Sequence, residues 1–231
     1  MTLPQRGVHA RGSEPASGNA IASSLRRFVE PRAKPSPLER CEFCGEAIAE
    51  MHGHVAKLES RGIACACRPC YLLFMTRGAA GGKYVSIPDR YLIARELGIT
   101  SAQWDTFQIP VGIAFLFFNS AQNRTVAFYP SPAGATESLL PLESWDELVS
   151  QAPVLATLEA DVEALLARKT REGTFESYIV PIDSCYELVG RMRRVWKGFD
   201  GGEEAWAEIE AFFSVVRERS GEESTATAIP Q

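Results

Sequence analysis

The clearest pattern of hydrophobic positions lies near the middle of the chain. Residues 111–118 read VGIAFLFF, a continuous apolar run that is typical of a strand buried on both faces. Residues 125–129 are again mostly apolar after the polar loop 119–123, so the two segments predict a β-hairpin at the centre of a sheet. Two prolines and a glycine predict a loop over residues 129–134, and residues 175–181 predict a third core strand.

Several later segments carry apolar residues at helical spacing. Residues 154–168 place leucines and valines on one stripe and predict a helix. Residues 183–197 predict another, and a last helix is expected after a glycine-containing break at 198–202. Two capping boxes predict further helix starts: Thr100 with Gln103, and Ser144 with Glu147.

Composition places the chain among ordinary globular proteins. It has 231 residues, of which 45% are hydrophobic and 23% charged. These values argue against wholesale disorder, collagen and coiled coils. The longest apolar run is far shorter than the roughly 18 residues that a membrane helix needs, so we expect no membrane span.

The charge is unevenly distributed. The net charge is −5 overall, but the first 40 residues carry +4 and the remainder carries −9. An acidic body argues against nucleic-acid binding, because neutralising phosphates requires a basic face. The pair Arg26-Arg27 is not followed by an apolar stretch, so we predict no export signal and a cytoplasmic location.

Cysteines provide the strongest chemical signal. Five of the six lie within thirty residues, with the spacing C-x2-C-x20-C-x-C-x2-C. Two C-x2-C pairs can supply the four thiolates that a tetrahedral Zn²⁺ site requires, each pair on a tight turn whose backbone N–H groups face the sulfurs. The predicted metal ligands are Cys41, Cys44, Cys67 and Cys70.

The residues leave alternatives open for this site. The gap between Cys44 and Cys67 is longer than usual for a zinc ribbon, so a longer hairpin is expected between the pairs and Cys65 is kept as a substitute ligand. His52 and His54 could also ligate, although such histidines are more often surface residues. Iron in the same thiolates is the alternative to zinc. Disulfides are disfavoured because no export signal is present.

Candidates for catalysis are poor. Cys185 lies on an apolar helix stripe with Leu188 and Met192, where a buried, inert thiol is expected. Ser131 lacks the glycines of a nucleophile elbow, and no glycine-rich phosphate loop is present in the sequence. We assign no catalytic residue and favour a non-catalytic protein.

The elements predict an α+β fold in which a small four-cysteine module, resembling a zinc ribbon or rubredoxin, joins a mixed domain with a short antiparallel sheet and C-terminal helices. The expected organisation is a disordered basic tail and linker (1–36), a metal-binding module (37–82), an α+β domain (83–220) and a disordered tail (221–231).

Five segments resemble an uncharacterised bacterial family over about residues 24–219. They are CEFCG at 41–45, CACRPC at 65–70, QIPVG at 108–112, AFYPSPAGATE at 127–137 and YIVPIDSCY at 178–186. Genes of that family commonly lie beside those of nickel–iron hydrogenases, particularly of the actinobacterial type. The resemblance implies a role in assembling, maturing or electrically wiring a hydrogenase, and it implies no catalytic residue.

We therefore expect a non-catalytic metal-binding accessory protein that docks on a hydrogenase subunit or a maturation factor. The expected docking surfaces are the basic arm, the segment 129–137 and the basic cluster at 191–197. The alternatives are a rubredoxin-like iron electron carrier and a zinc-ribbon transcriptional regulator, against which the acidic body argues.

Overall fold

The computed structural model describes residues 39–95, 97–107, 109–138, 147–150, 152–198 and 201–226, without the side chains of 222–226. Residues from Glu39 onward form one compact unit. The predicted tail and linker over 1–36 and the capping box at Ser144 lie outside the described residues. The predicted boundary between module and domain at 82 stays a prediction.

A small antiparallel sheet follows the first two cysteines. Its strands are β1 (Gly53–Lys57), β2 (Gly62–Ala66) and β3 (Tyr84–Ser86), with β1 in the centre. Between β2 and β3 lie the short helix α1 (Arg68–Leu73) and a 3₁₀ turn (Ala79–Gly82). The hairpin expected between the cysteine pairs is therefore present, and a third strand joins it.

A six-stranded antiparallel sheet forms the rest of the scaffold, in the order β4-β9-β8-β5-β6-β7. Its strands are β4 (Leu92–Ile93), β5 (Ile113–Asn119), β6 (Arg124–Ser131), β7 (Gly134–Ser138), β8 (Glu163–Lys169) and β9 (Phe175–Pro181). The predicted hairpin of residues 111–118 and 125–129 is confirmed as β5–β6, and the strand predicted at 175–181 is confirmed as β9.

Helices cover both faces of the large sheet. Helix α2 (Ser101–Thr106) begins at the predicted capping box, in which the Thr100 side chain accepts from the Gln103 N–H. The predicted C-terminal helices are confirmed as α3 (Ile182–Val195) and α4 (Gly202–Ala226). Helix α4 thus continues into the stretch expected to be a tail. Residues 147–150 are also helical.

Within the described residues, none of the helices has both the length and the apolar character needed to cross a membrane.

Side chains alternate between the two faces of each central strand, and this alternation explains how the core is divided into layers. In β5, Phe115 points to the face covered by α3 and α4, whereas Leu116 points to the face covered by α2 and Leu155. In β1, Val55 belongs to the small core around the cysteines, whereas Ala56 belongs to the main core with the two C-terminal helices. The cysteine module therefore shares a packed core with the large sheet.

The helix predicted over residues 154–168 is wrong. A 3₁₀ turn (Pro153–Thr157) is followed by strand β8, with Asp161 at a positive φ of 68° between them. Strand β8 lies between β9 and β5, and both of its faces are buried because residues pack against each side of the sheet. Its contiguous apolar run ALLA therefore suits a strand as well as a helix stripe.

The loop predicted over residues 129–134 is also wrong. Strand β6 continues to Ser131 and turns directly into β7, with Pro130 opposite Ala135. Proline has no N–H to donate, and the nitrogen of Pro130 faces the side of β6 on which β5 lies. The pairing of β5 with β6 ends at Phe128, so the proline removes no hydrogen bond from the sheet.

A buried carboxylate fixes the start of β8. The side chain of Glu163 is fully buried, and Arg90 donates to both of its oxygens, from Nε at 2.6 Å and from a terminal nitrogen at 2.5 Å. The Glu159 N–H also donates to it at 2.8 Å. Each carboxylate oxygen therefore has a partner, as a buried charge requires.

We predict that Glu163→Gln lowers the free energy of unfolding by about 2 kcal/mol, because the fully buried side chain loses the charge of its hydrogen bonds with the partly exposed Arg90. The matched control is Glu204→Gln, which breaks the exposed pair with Lys197 and is expected to cost about 0.5 kcal/mol. Urea denaturation of both variants measures the difference, and equal losses would contradict a structural role for the buried pair.

Candidate metal centre

The structure brings the four predicted ligands together. The sulfurs of Cys41, Cys44, Cys67 and Cys70 all lie within 4.8 Å of one another, and those of Cys44 and Cys67 are 3.5 Å apart. Four sulfurs bound tetrahedrally at about 2.3 Å from a zinc ion would lie about 3.8 Å apart. The described coordinates therefore contain a cluster that could hold one metal ion.

The first pair lies on a tight turn closed by backbone hydrogen bonds. The Cys41 N–H donates to the Glu46 carbonyl at 2.8 Å, and the Gly45 N–H donates to the Cys41 carbonyl at 2.9 Å. Gly45 has a φ of 77°, a conformation that side chains other than glycine rarely adopt. This is the turn that the sequence predicts for residues 41–45.

The second pair differs from that expectation, because it begins a helix. Cys67 is the N-cap residue of α1 and Cys70 lies in its first turn, with Pro69 near the helix start. The Tyr71 N–H donates to the Cys67 carbonyl at 2.9 Å. Residues 71 onward continue as helix, so no glycine is needed after Cys70, and the two pairs are held by different local structures.

Glu42 ties the turn to the hairpin. Its N–H donates to the Cys65 carbonyl at 2.9 Å, and its carboxylate accepts from the Cys65 N–H at 3.0 Å and from Lys57 at 2.7 Å. Hydrogen bonds from Lys57 and from the Cys65 N–H hold the pKa of Glu42 below its usual value. A single side chain between the two ligands of the first turn thus sets the distance between turn and hairpin.

The electrostatic environment distinguishes the sulfurs. Burial alone would raise the pKa of Cys41, but backbone N–H groups of Cys67, Phe43 and Cys44 bring it down to about 6. Burial and hydrogen bonds to the neighbouring sulfurs raise the pKa of Cys70 to about 12. A thiol must lose its proton to bind a metal ion, so the low pKa of Cys41 favours its role as a ligand.

The two remaining cysteines have separate positions. Cys65, the suggested substitute ligand, groups with His52 and His54 instead of with the four sulfurs. Cys185 is completely buried in α3, and burial raises the pKa of its thiol well above the usual value. An unreactive thiol is what its apolar stripe predicts.

A four-sulfur site of this kind has no open coordination position once a metal ion is bound. Such a site stabilises the local fold or exchanges electrons; it does not activate a water molecule. The chemistry of the donor set suits zinc and iron alike.

Residues 40–220 match the family of unknown function DUF5947. The chain belongs to this family. The match begins at the first cysteine turn and ends within α4, so it includes the metal centre and both sheets. Its description assigns no activity. No curated protein and no solved structure matches the chain.

A glycine in β1 permits the close packing of α1 on the hairpin. A Cβ atom at Gly53 would lie 2.5 Å from Cδ2 and 2.9 Å from Cγ of Tyr71, the residue that follows Cys70. Tyr71 cannot easily move, because its hydroxyl donates to the Ile87 carbonyl at 2.9 Å and its own carbonyl accepts from Ser86.

We predict that Gly53→Ala destabilises the protein by about 1–3 kcal/mol and speeds the loss of metal to a chelator, because the added methyl group displaces the helix that carries Cys70. Gly98→Ala is the control, since a Cβ atom there meets nothing within 4 Å. Thermal unfolding and metal release by a chromogenic chelator measure both effects. Identical behaviour of the two variants would show that this contact does not support the centre.

Proposed function

We propose that the protein is a non-catalytic accessory protein in which Cys41, Cys44, Cys67 and Cys70 hold a structural zinc ion, and that it assists assembly, maturation or electron wiring of a nickel–iron hydrogenase. The observation that carries the metal part is the convergence of four sulfurs within 4.8 Å. The choice of a hydrogenase as partner rests on the sequence resemblance alone.

The surroundings of the sulfurs support a structural role. Cys41 and Cys70 are buried in a small core with Ile48, Val55 and Phe74. Few apolar residues share this core, and small modules commonly depend on a metal for stability. A closed zinc site joins the turn to α1 without requiring a larger core.

One observation favours the rubredoxin-like alternative. Cys44 is exposed and Cys67 is half-buried, so one side of the cluster faces solvent. A partner could approach an iron ion in this cluster closely enough to exchange electrons. The alternative of a zinc-ribbon transcriptional regulator gains no such support, because the charge of −9 beyond residue 40 opposes DNA binding.

An apolar surface beside the centre supports docking to another protein. Leu73 is 66% exposed, Met75 is 60% exposed and Leu72 is 46% exposed, all in α1 or directly after it. Met51, on the turn before β1, is 90% exposed. Four of the six large hydrophobic side chains exposed among the described residues thus belong to the cysteine module, and such concentrations mark interaction sites.

On two of the surfaces expected from the sequence, 129–137 and 191–197, some of the charges have partners within the chain. Arg191 donates to Glu187, Lys197 to Glu204, and Arg124 to Glu137. The basic arm lies outside the described residues. We therefore place the proposed docking surface on α1 and the residues directly after it.

Metal content tests the first part of the proposal. We expect anaerobically purified protein to be colourless and to contain zinc, and Cys41→Ser/Cys44→Ser to lose one zinc ion per chain together with the fold of the module, because structural zinc contributes about 10 kcal/mol or more to such sites. Elemental analysis, visible absorption and circular dichroism measure these quantities.

Cys185→Ala is the control, because this cysteine lies in α3 apart from the cluster and should keep the metal content unchanged. Iron with thiolate-to-iron absorption would replace the zinc proposal by the redox alternative. An unchanged metal content in the double variant would overturn the four-thiolate site itself.

Docking is tested separately from metal content. We predict that Leu73→Glu/Met75→Glu reduces capture of co-expressed hydrogenase subunits at least about 10-fold, since a buried charge at the centre of an interface costs more than about 1.4 kcal/mol. Val215→Glu is the control, because Val215 is an exposed apolar residue on α4, away from the cysteine module. Capture that is equal for both variants would exclude this surface, and no capture by the zinc-loaded wild type would exclude the hydrogenase partner.

A further inference from the structure

Three potential metal ligands lie together on the hairpin β1–β2, apart from the four-sulfur cluster. His54 and Cys65 are direct partners across the two strands. His52 lies directly before β1, and its ring centroid is 4.8 Å from that of His54. One ligand atom from each of the three lies within 4.8 Å of the others.

Both histidines have one ring nitrogen already engaged. Nδ1 of His52 lies 2.9 Å from the Ala49 carbonyl oxygen, and Nδ1 of His54 lies 2.6 Å from Oδ2 of Asp183 in α3. Since both partners are acceptors, each Nδ1 donates a hydrogen bond, and in a neutral imidazole Nε2 then offers a lone pair. A carbonyl or carboxylate behind Nδ1 is the arrangement that orients a histidine toward a metal ion.

The second nitrogen of His52 supplies an independent observation. Its side chain is only 9% exposed, and among the described residues its Nε2 is a buried polar atom without a hydrogen-bond partner. A buried, unpaired nitrogen costs about 1–3 kcal/mol unless something binds it.

We propose that His52, His54 and Cys65 form a second metal site, which binds a divalent first-row transition ion such as Zn²⁺ or Co²⁺ through two imidazole nitrogens and one thiolate. Tetrahedral bonds of about 2.0–2.3 Å separate such ligand atoms by about 3.3–3.8 Å. Small side-chain rotations bring the three atoms to that spacing from their present limit of 4.8 Å.

The site has one protein ligand fewer than the four-sulfur cluster. His52, His54 and Asp183 line a cavity of about 860 Å³. Three protein ligands leave a fourth coordination position to a water molecule or another ligand, as in metal sites that exchange a ligand or act on one. The proposal is independent of the proposed zinc at the four thiolates, because no ligand is shared.

Cobalt binding to the metal-free full-length protein tests the site, with Co²⁺ itself as the probe. We expect the wild type to bind two Co²⁺ per chain, one at each group. His52→Asn should bind one, because asparagine can keep the hydrogen bond to Ala49 while it removes Nε2. Cys65→Ser should also bind one. Both variants should retain the intense thiolate-to-cobalt absorption of the four-sulfur centre.

Azide separates the two sites in folded protein. In His52→Asn it should have no effect, because four thiolates complete the coordination of the remaining ion. In the wild type it should shift the absorption of one of the two ions, because three protein ligands leave that ion a fourth position. Asp183→Asn, which removes the charge behind His54, should weaken this ion about 10- to 100-fold. One Co²⁺ per folded wild-type chain, or two in His52→Asn and Cys65→Ser, would overturn the second site, whatever the fate of the first.

Discussion

The strand β1 is the constraint on which the rest of the molecule depends, because its neighbouring residues face different environments. Val55 packs among the cysteines, whereas Ala56 packs against the C-terminal helices. A slip of one residue in its pairing with β2 would exchange these faces and separate His54 from Cys65. Burial on both sides therefore fixes the register, and the register fixes where the chemical groups lie.

Buried charges fix the register of the large sheet in the same way. Glu163 and Arg168 lie five positions apart in β8 and are both buried. Arg168 reaches Glu176 and Glu210, and its guanidinium lies over Phe213. Each charge would be costly in any other register, because its partners come from defined positions on neighbouring elements. The apolar residues of β8 would fit several registers equally well. The charged pairs therefore favour one of these registers.

Much of the fold and of the first centre could be predicted from local sequence. The spacing of the cysteine pairs is sufficient to identify Cys41, Cys44, Cys67 and Cys70 as a group, and the apolar runs identify β5, β6 and β9. Strand β8 was missed because a strand buried on both faces has no alternation to separate it from a helix. Its buried Glu163 and Arg168 are unusual for a helix stripe and were the available signal.

The second group could not be found from spacing. Cys65 looked like a spare member of the cysteine series, and His52 and His54 looked like surface residues of a hairpin. Their association depends on strand pairing and on Asp183, which lies 129 residues from His54 in the sequence. No pattern of neighbouring residues indicates a contact over such a separation in the sequence.

The two groups also differ in what a bound metal ion could do. Cys67 and Cys65 lie one residue apart, yet the N-cap of α1 directs the first toward the sulfurs and the ladder of β2 places the second beside the histidines. A full set of thiolates would complete the coordination of one ion, while a mixed set of three would leave a fourth position for another ligand. The proposed division between a closed centre and a three-ligand group follows from that single change of secondary structure after Ala66.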